Sequence, residues 1–186
     1  MYVLAVIGSP RKGGNTDVLV DKAIGGARSS GAQVEKVYLS DLDIGPCDAC
    51  MGCENTGECV KPDDMQDLFP KILRADGLII GTPVYWWGPT AQTKLFVDRW
   101  YSLQFKEASM KGKKMAVIAP YGDDDPATAR HVFGMFQDAA DYLGVDLVGT
   151  CGATANDKGE VASNEVALKR ALYLGKLVAA GGQVHG

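Results

Sequence analysis

The chain has 186 residues, 46% hydrophobic and 23% charged, with 23 acidic against 19 basic side chains and a formal net charge of −4. That length suits one domain (1–186) with a sizeable core, and the acidic balance argues against nucleic acid or an anionic membrane as a partner. No apolar run approaches the roughly 20 residues that span a bilayer. Met1-Tyr2-Val3-Leu4-Ala5-Val6-Ile7 lacks a basic leader, so it reads as a core strand and not a signal peptide, and a reducing cytoplasmic setting is expected.

Taken in order, short apolar runs alternate with helical patterns. The first strand is expected over 2–8. It leads into Gly8-Ser9-Pro10-Arg11-Lys12-Gly13-Gly14-Asn15-Thr16 and a helix with Leu19, Ala23 and Ala27 on one face, stopping near Gly31. A second strand over 33–39 precedes a long loop, about 44–62. A shorter helix follows from Asp63, where Asp63-x-x-Gln66 offers a capping box. The third strand, 77–82, runs into the aromatic loop Thr82-Pro83-Val84-Tyr85-Trp86-Trp87-Gly88-Pro89-Thr90 and a helix with Ala91, Leu95 and Trp100 on one face. Lys111, Lys113 and Lys114 read as a solvated turn before the fourth strand, 114–120. Asp123-Asp124-Asp125-Pro126 reads as a helix cap at Asp125 with proline in the first turn. That helix carries Val132, Phe136 and Leu143 and stops at Gly144; His131 near its start reads as a partly buried structural histidine. A fifth strand, 146–151, holds Cys151 as a small buried hydrophobe. The last helix aligns Ala167, Ala171, Leu174 and Val178, with a stop at Gly181 and a loose tail containing His185.

Five strands alternating with five helices, three of the strands nearly continuous in apolar residues, imply a doubly wound parallel sheet. Strand order 2-1-3-4-5 is the flavodoxin-like solution. Its ligand belongs at the carboxyl ends of strands 1 and 3. The loop after the first strand opens a helix, where unsatisfied N–H groups and the helix dipole favour an anion. Ser9, Arg11, Gly14, Asn15 and Thr16 are the candidate phosphate contacts. The loop has neither a Walker A ending nor Gly-x-Gly-x-x-Gly spacing, which disfavours triphosphate hydrolysis and a Rossmann dinucleotide site. The aromatic loop leaves the third strand where a planar ring would lie, with Pro83, Val84, Tyr85, Trp86 and Gly88 available to its edge and face.

Cys47-x2-Cys50-x2-Cys53-x5-Cys59 sits in the long loop. Four soft thiolates from one segment suit an iron–sulfur cluster or zinc, and three-residue steps favour the cluster. Free redox-active thiols remain open, whereas disulfides between such close positions close small strained loops.

The phosphate loop, the cysteine run followed by Asp63-Asp64-Met65, and Thr82-Pro83-Val84-Tyr85-Trp86 with Lys94 and Asp98-Arg99 together resemble the NAD(P)H-dependent FMN reductase superfamily. Within it, they are similar to the iron–sulfur flavoprotein branch. The resemblance spans about residues 1–125. It implies a flavodoxin-like fold, non-covalent FMN, a [4Fe–4S] cluster on the four cysteines, and a homodimer or homotetramer with aromatics such as Trp86, Trp87, Trp100 and Tyr101 at the interface. It also implies a third set of flavin contacts after the fourth strand, at Tyr121 and Gly122, where the acidic run departs from the pattern. The expected function is electron transfer among NAD(P)H or a ferredoxin-like donor, FMN and the cluster. No side-chain acid or base is required, so no catalytic residue is nominated. Two alternatives stand: a cluster-free NAD(P)H-dependent reductase of flavin, quinone, azo or nitro compounds, and a non-enzymatic module responding to thiol redox state.

Overall fold

A computed structural model describes residues 1–105 and 110–180; the expected stop at Gly181 and the tail at His185 lie outside the described residues. Five strands form one sheet: β1 (Tyr2–Ile7), β2 (Gln33–Tyr38), β3 (Gly77–Gly81), β4 (Lys114–Tyr121) and β5 (Asp146–Thr154). The order is β2-β1-β3-β4-β5 and every pairing is parallel. Strand residues alternate between two cores. Leu4, Val6, Leu78 and Ile80 face α2 (Met65–Arg74), α3 (Ala91–Asp98) and α4 (Arg130–Leu143). Val3, Ala5, Ile7 and Ile79 face α1 (Asn15–Ser29) and α5 (Glu165–Ala179). Burial of both faces explains why these strands read as unbroken apolar runs. The two helices on the second face pack backbone to backbone. A Cβ on Gly26 would stand 2.0 Å from Leu172 O, and one on Gly175 would stand 1.8 Å from Ala23 O.

β5 runs three residues beyond the expected Cys151. Val148 forms a bulge, since Met115 pairs with Leu147 and Ala116 with Gly149, and the strand then follows β4 as far as Tyr121–Thr154. The extension carries the following loop past the carboxyl edge of the sheet. Cys151 is buried as expected, and burial pushes its thiol up to about 11. Gly31 (φ 85°) and Gly144 (φ 68°) end α1 and α4 as left-handed residues.

Several expectations are corrected. Asp63 and Gln66 form no capping box. Asp63 is drawn to Arg99 and to the N–H groups of Gly45 and Met65, while Gln66 donates to the carbonyls of Cys59 and Lys61. The buried face of α3 is Thr93 and Phe96, with Ala91 exposed; the 3-10 turn over Arg99–Phe105 then buries Arg99, Trp100, Ser102 and Leu103. Trp100 is core, edge-on to Phe96 at 5.3 Å. Lys113 and Lys114 are not simply solvated. Lys113 Nζ donates to Leu73 O (2.8 Å) and Ala75 O (2.5 Å), closing the C-terminal end of α2, and Lys114 Nζ reaches Ala180 O at 2.7 Å. His131 is exposed, not partly buried. Asp125 does cap the turn that opens at Pro126, accepting from Ala127 N at 2.8 Å. Among the described residues no helix is long and apolar enough to cross a membrane.

Candidate functional site: a cleft at the carboxyl edge of the sheet

The loop after β1 is built around the helix start. Gly14 is the N-cap of α1, no side chain caps it, and the first helical bond runs from Val18 N to Gly14 O (3.0 Å). The N–H groups of Asn15, Thr16 and Asp17 therefore precede that bond and face out of the helix end. Ser9 is buried, with its hydroxyl accepting from Arg11 N at 3.2 Å. Asp17 places a carboxylate beneath this loop, accepting from Gly13 N (2.6 Å), Tyr38 Oη (2.8 Å) and Lys36 Nζ (2.5 Å). Burial alone would raise its pKa, but Lys36, Gly13 N–H and Tyr38 override that and hold it low. Lys36 also pairs with Asp21 at 2.7 Å, so one ammonium bridges two carboxylates beneath the loop.

The aromatic loop is fixed from two sides. Val84 N donates to Pro120 O at 3.0 Å, and Thr90 Oγ1 donates to Gly8 O at 2.7 Å, coupling this loop to the phosphate-type loop. Tyr85 and Gly88 exchange backbone hydrogen bonds of 2.9 and 3.0 Å around Trp86 (φ 48°) and Trp87 (φ 59°). Two left-handed central residues make a tight hairpin turn of the primed kind, a conformation that costs a bulky side chain about 1–3 kcal/mol. The turn leaves Trp86 90% exposed.

After β4, Tyr121 is buried and Ala155 N donates to Tyr121 O at 2.8 Å, drawing the loop after β5 alongside. Asp123, Asp124 and Asp125 are exposed.

These loops border an open cleft with a cavity volume of about 160 Å³. Of the expected cofactor residues, Ser9, Arg11, Gly14, Asn15, Thr16, Pro83, Val84, Tyr85, Tyr121 and Gly122 line it. Trp86 and Gly88 are not among the lining residues; they form the turn at its lip. Pro120, which leads the run expected after the fourth strand, also lines it, whereas sequence reasoning missed Ala155, Asn156 and Lys158. The small alternating run Gly152-Ala153-Thr154-Ala155 was the available signal, since prolonging β5 through it brings the next residues to the same edge. Asn15 also differs from expectation: its side-chain amide bonds the backbone of 155–161 and not the cleft interior.

The cysteine loop is anchored at its neck. Asp43 N donates to Asp64 Oδ2 (2.7 Å), Gly45 N to Asp63 Oδ2 (3.0 Å), and the Arg99 guanidinium reaches Gly45 O (3.0 Å), Asp63 Oδ2 (2.5 Å) and Cys59 Sγ (3.1 Å). Left-handed Ala49 (φ 54°) and Met51 (φ 57°) turn the chain on either side of Cys50. Cys47 and Cys50 are exposed, Cys53 is buried, Cys59 is half-buried, and none is in a disulfide. Burial chiefly, with the charges of Cys59, Cys50 and Cys47, pushes the Cys53 thiol up. In kind, the donor set fits a soft metal or cluster. Among the described residues, no three His, Cys, Asp or Glu side chains are gathered as a metal site.

A 2-1-3-4-5 parallel sheet with an anion-receptive loop and an aromatic loop meeting at its carboxyl edge defines a flavodoxin-like oxidoreductase. Residues 1–158 match the family of NADPH-dependent FMN reductases, and the chain belongs to that family. An iron–sulfur flavoprotein of Methanocaldococcus jannaschii is 32% identical over 185 residues, covering 96% of each chain. Another, from Archaeoglobus fulgidus, is 34% identical over 180 residues, 96% of this chain and 79% of that one. The chain thus falls on the iron–sulfur flavoprotein branch. Among solved structures, the Trp repressor binding protein from Bacillus subtilis superposes with a TM-score of 0.73 at 29% identity, covering 92% of this chain and 98% of its own. FMN is the cofactor to which the family points.

Proposed function

We propose that this single-domain chain binds FMN in the edge cleft and carries electrons between NAD(P)H or a ferredoxin-like donor, FMN and a [4Fe–4S] cluster on Cys47, Cys50, Cys53 and Cys59, working as a cytoplasmic homo-oligomer. The observation that carries the flavin reading is the convergence of three separate loops on one cleft, with ten of the twelve expected contacts lining it. Ser9, Arg11, Gly14 and Thr16 hold the phosphate, through the helix-end N–H groups and the guanidinium. Pro83, Val84, Tyr85, Tyr121 and Gly122 bound the ring and exclude water from it. Trp86 and Gly88 serve as the lip of the site. When bound, FMN and the cluster supply the hydride and single-electron chemistry, and the protein's task is to hold and orient them. For the cysteines, support comes from the thiol donor set, the anchored loop and the relatives' character as iron–sulfur flavoproteins.

The test of the flavin reading is direct. Purified protein shows flavin absorbance, and Arg11→Ala weakens FMN affinity by about tenfold or more, the value of a charge-assisted hydrogen bond. Colourless protein that ignores added FMN refutes it. A second reading, the cluster-free NAD(P)H-dependent reductase, is supported by the match of residues 1–158 to the family of NADPH-dependent FMN reductases. Cys50→Ser separates the two: a carrier loses reduction of its one-electron partner while keeping flavin, and a simple reductase keeps its NAD(P)H turnover. Membership of an oxidoreductase family weighs against the non-enzymatic module.

A further inference from the structure

Asn15 stands at the start of α1, where a phosphate contact is expected, yet its side chain is committed elsewhere. Nδ2 donates to Ala155 O (3.3 Å) and Asp157 O (2.9 Å), and Oδ1 accepts from Val161 N (3.2 Å). A side-chain amide has two N–H donors, and both are used. The residues it grips form a tight turn. Glu160 Oε2 accepts from Asn156 N (2.6 Å) and Asp157 N (2.8 Å), and these two N–H groups hold the Glu160 pKa low. Lys158 is at the apex of that turn. It lines the same cleft as Ser9 and Arg11, and its Cε lies 3.7 Å from where a Cβ on Gly13 would stand.

Charge decides what such a lysine is for. A phosphate monoester carries about −1.5 to −2 charges at neutral pH. Lys36 is shared between Asp17 (2.5 Å) and Asp21 (2.7 Å), and Lys12 is paired with Asp41 at 2.7 Å, so neither lysine is left over for an anion. Among the described residues neither Arg11 nor Lys158 is in an ion pair. Arg11 and the α1 helix end, worth about half a positive charge, leave part of the dianion uncompensated, and Lys158 supplies the remainder.

We infer that Lys158, delivered from the loop after β5, is the second cation of the FMN phosphate subsite, and that Asn15 is a positioning residue that latches that loop over Gly13. The inference rests on the FMN reading above and assigns the selectivity for a phosphorylated flavin to a pair of residues 143 positions apart in the chain.

The experiment measures FMN and riboflavin dissociation constants by flavin fluorescence quenching for the wild type, Lys158→Gln, Lys158→Arg, Asn15→Ala and the Asn15→Ala/Lys158→Gln double variant. Lys158→Gln is expected to weaken FMN about tenfold and leave riboflavin within twofold, with Lys158→Arg close to the wild type. Asn15→Ala is expected to lower the FMN-to-riboflavin preference similarly, and to add little once Lys158 is gone. An unchanged FMN constant in Lys158→Gln, or an equal loss for both flavins, overturns the inference while the FMN reading stands. An Asn15→Ala loss of the same size with or without Lys158 overturns the positioning role. Wild-type protein that binds neither flavin overturns the FMN reading, and the inference with it.

Discussion

Replacing Arg99 with methionine tests whether the cysteine loop is held by one buried cation. Its side chain has no exposed surface and Asp63 keeps only 13%. Removing one partner of a buried pair costs about 3–5 kcal/mol, because the other charge stays buried and alone. Here Asp63 keeps the N–H groups of Gly45 (3.0 Å) and Met65 (3.2 Å), while Gly45 O and Cys59 Sγ each lose a donor. The expected loss is therefore near the lower limit, about 3 kcal/mol, or about 6–12 °C in Tm for a chain of this size. The assay is urea and thermal unfolding of reduced, metal-free protein followed by circular dichroism. Adding Asp63→Asn to Arg99→Met should cost less than the two single losses together by about 1 kcal/mol or more.

The pH dependence has a definite sign. Burial alone would raise the Asp63 pKa, but the Arg99 hydrogen bond, Gly45 N–H and the Arg99 charge keep it below the usual carboxylate value. A lowered pKa contributes stability that is present above the unfolded value of about 3.9 and is lost as pH falls through the folded one. Without Arg99, burial is opposed only by the Gly45 and Met65 N–H groups, so the Asp63 pKa rises from its wild-type position and the charged carboxylate is less well compensated at neutral pH. The gap between wild type and variant should thus shrink from pH 7 toward pH 4 and below. A loss under about 1 kcal/mol at pH 7, or one that does not change with pH, refutes the reasoning.

Two further outcomes follow from the proposed function. Anaerobic isolation should yield about four iron and four sulfide per chain beneath the flavin bands, whereas one equivalent of zinc without sulfide makes the cysteine site structural. Size-exclusion chromatography should give a dimer or tetramer, since Tyr85, Trp86, Trp87 and Tyr101 leave a large aromatic area exposed, and a monomer at micromolar concentration overturns the oligomer.

What was legible in the sequence was whatever depends on neighbours along the chain. Val3 to Ile7 read as a strand buried on both faces because alternate residues meet different helices and all must be apolar. The loop at Gly8–Thr16 announced a helix start, and the turn at Asp125-Pro126 announced a cap. Both are local chemistry and both formed. The anchoring cations were not legible. Asp98-Arg99 enters the sequence only as part of a family motif, and only the fold brings Arg99 to Asp63 and Cys59, 36 and 40 residues away. Lys113 looked like part of a lysine-rich turn, but the C-terminal end of α2 lies where its ammonium can cap it. A charge at a helix end and a charge in solvent look alike in one dimension.

The same distinction separates the scaffold from the site. Two polar residues, Asn15 at the start of α1 and Arg99 in the turn after α3, each fasten a loop: Asn15 holds 155–161 beside the cleft, and Arg99 joins Gly45 to Asp63 at the neck of the cysteine loop. Loops carry function only when a rigid frame fixes them. Neither loop has a long apolar face of its own with which to do so. The fixing therefore falls to single side chains with several directed bonds, an amide with two donors and an acceptor, and a guanidinium with five donors. Such residues hold geometry more than they add net stability, since buried polar contacts gain little over solvation but cost much when broken. For that reason, substitutions at Asn15 and Arg99 should disturb the edge cleft and the cysteine loop separately, each through the loop it holds, while the sheet between them stays intact.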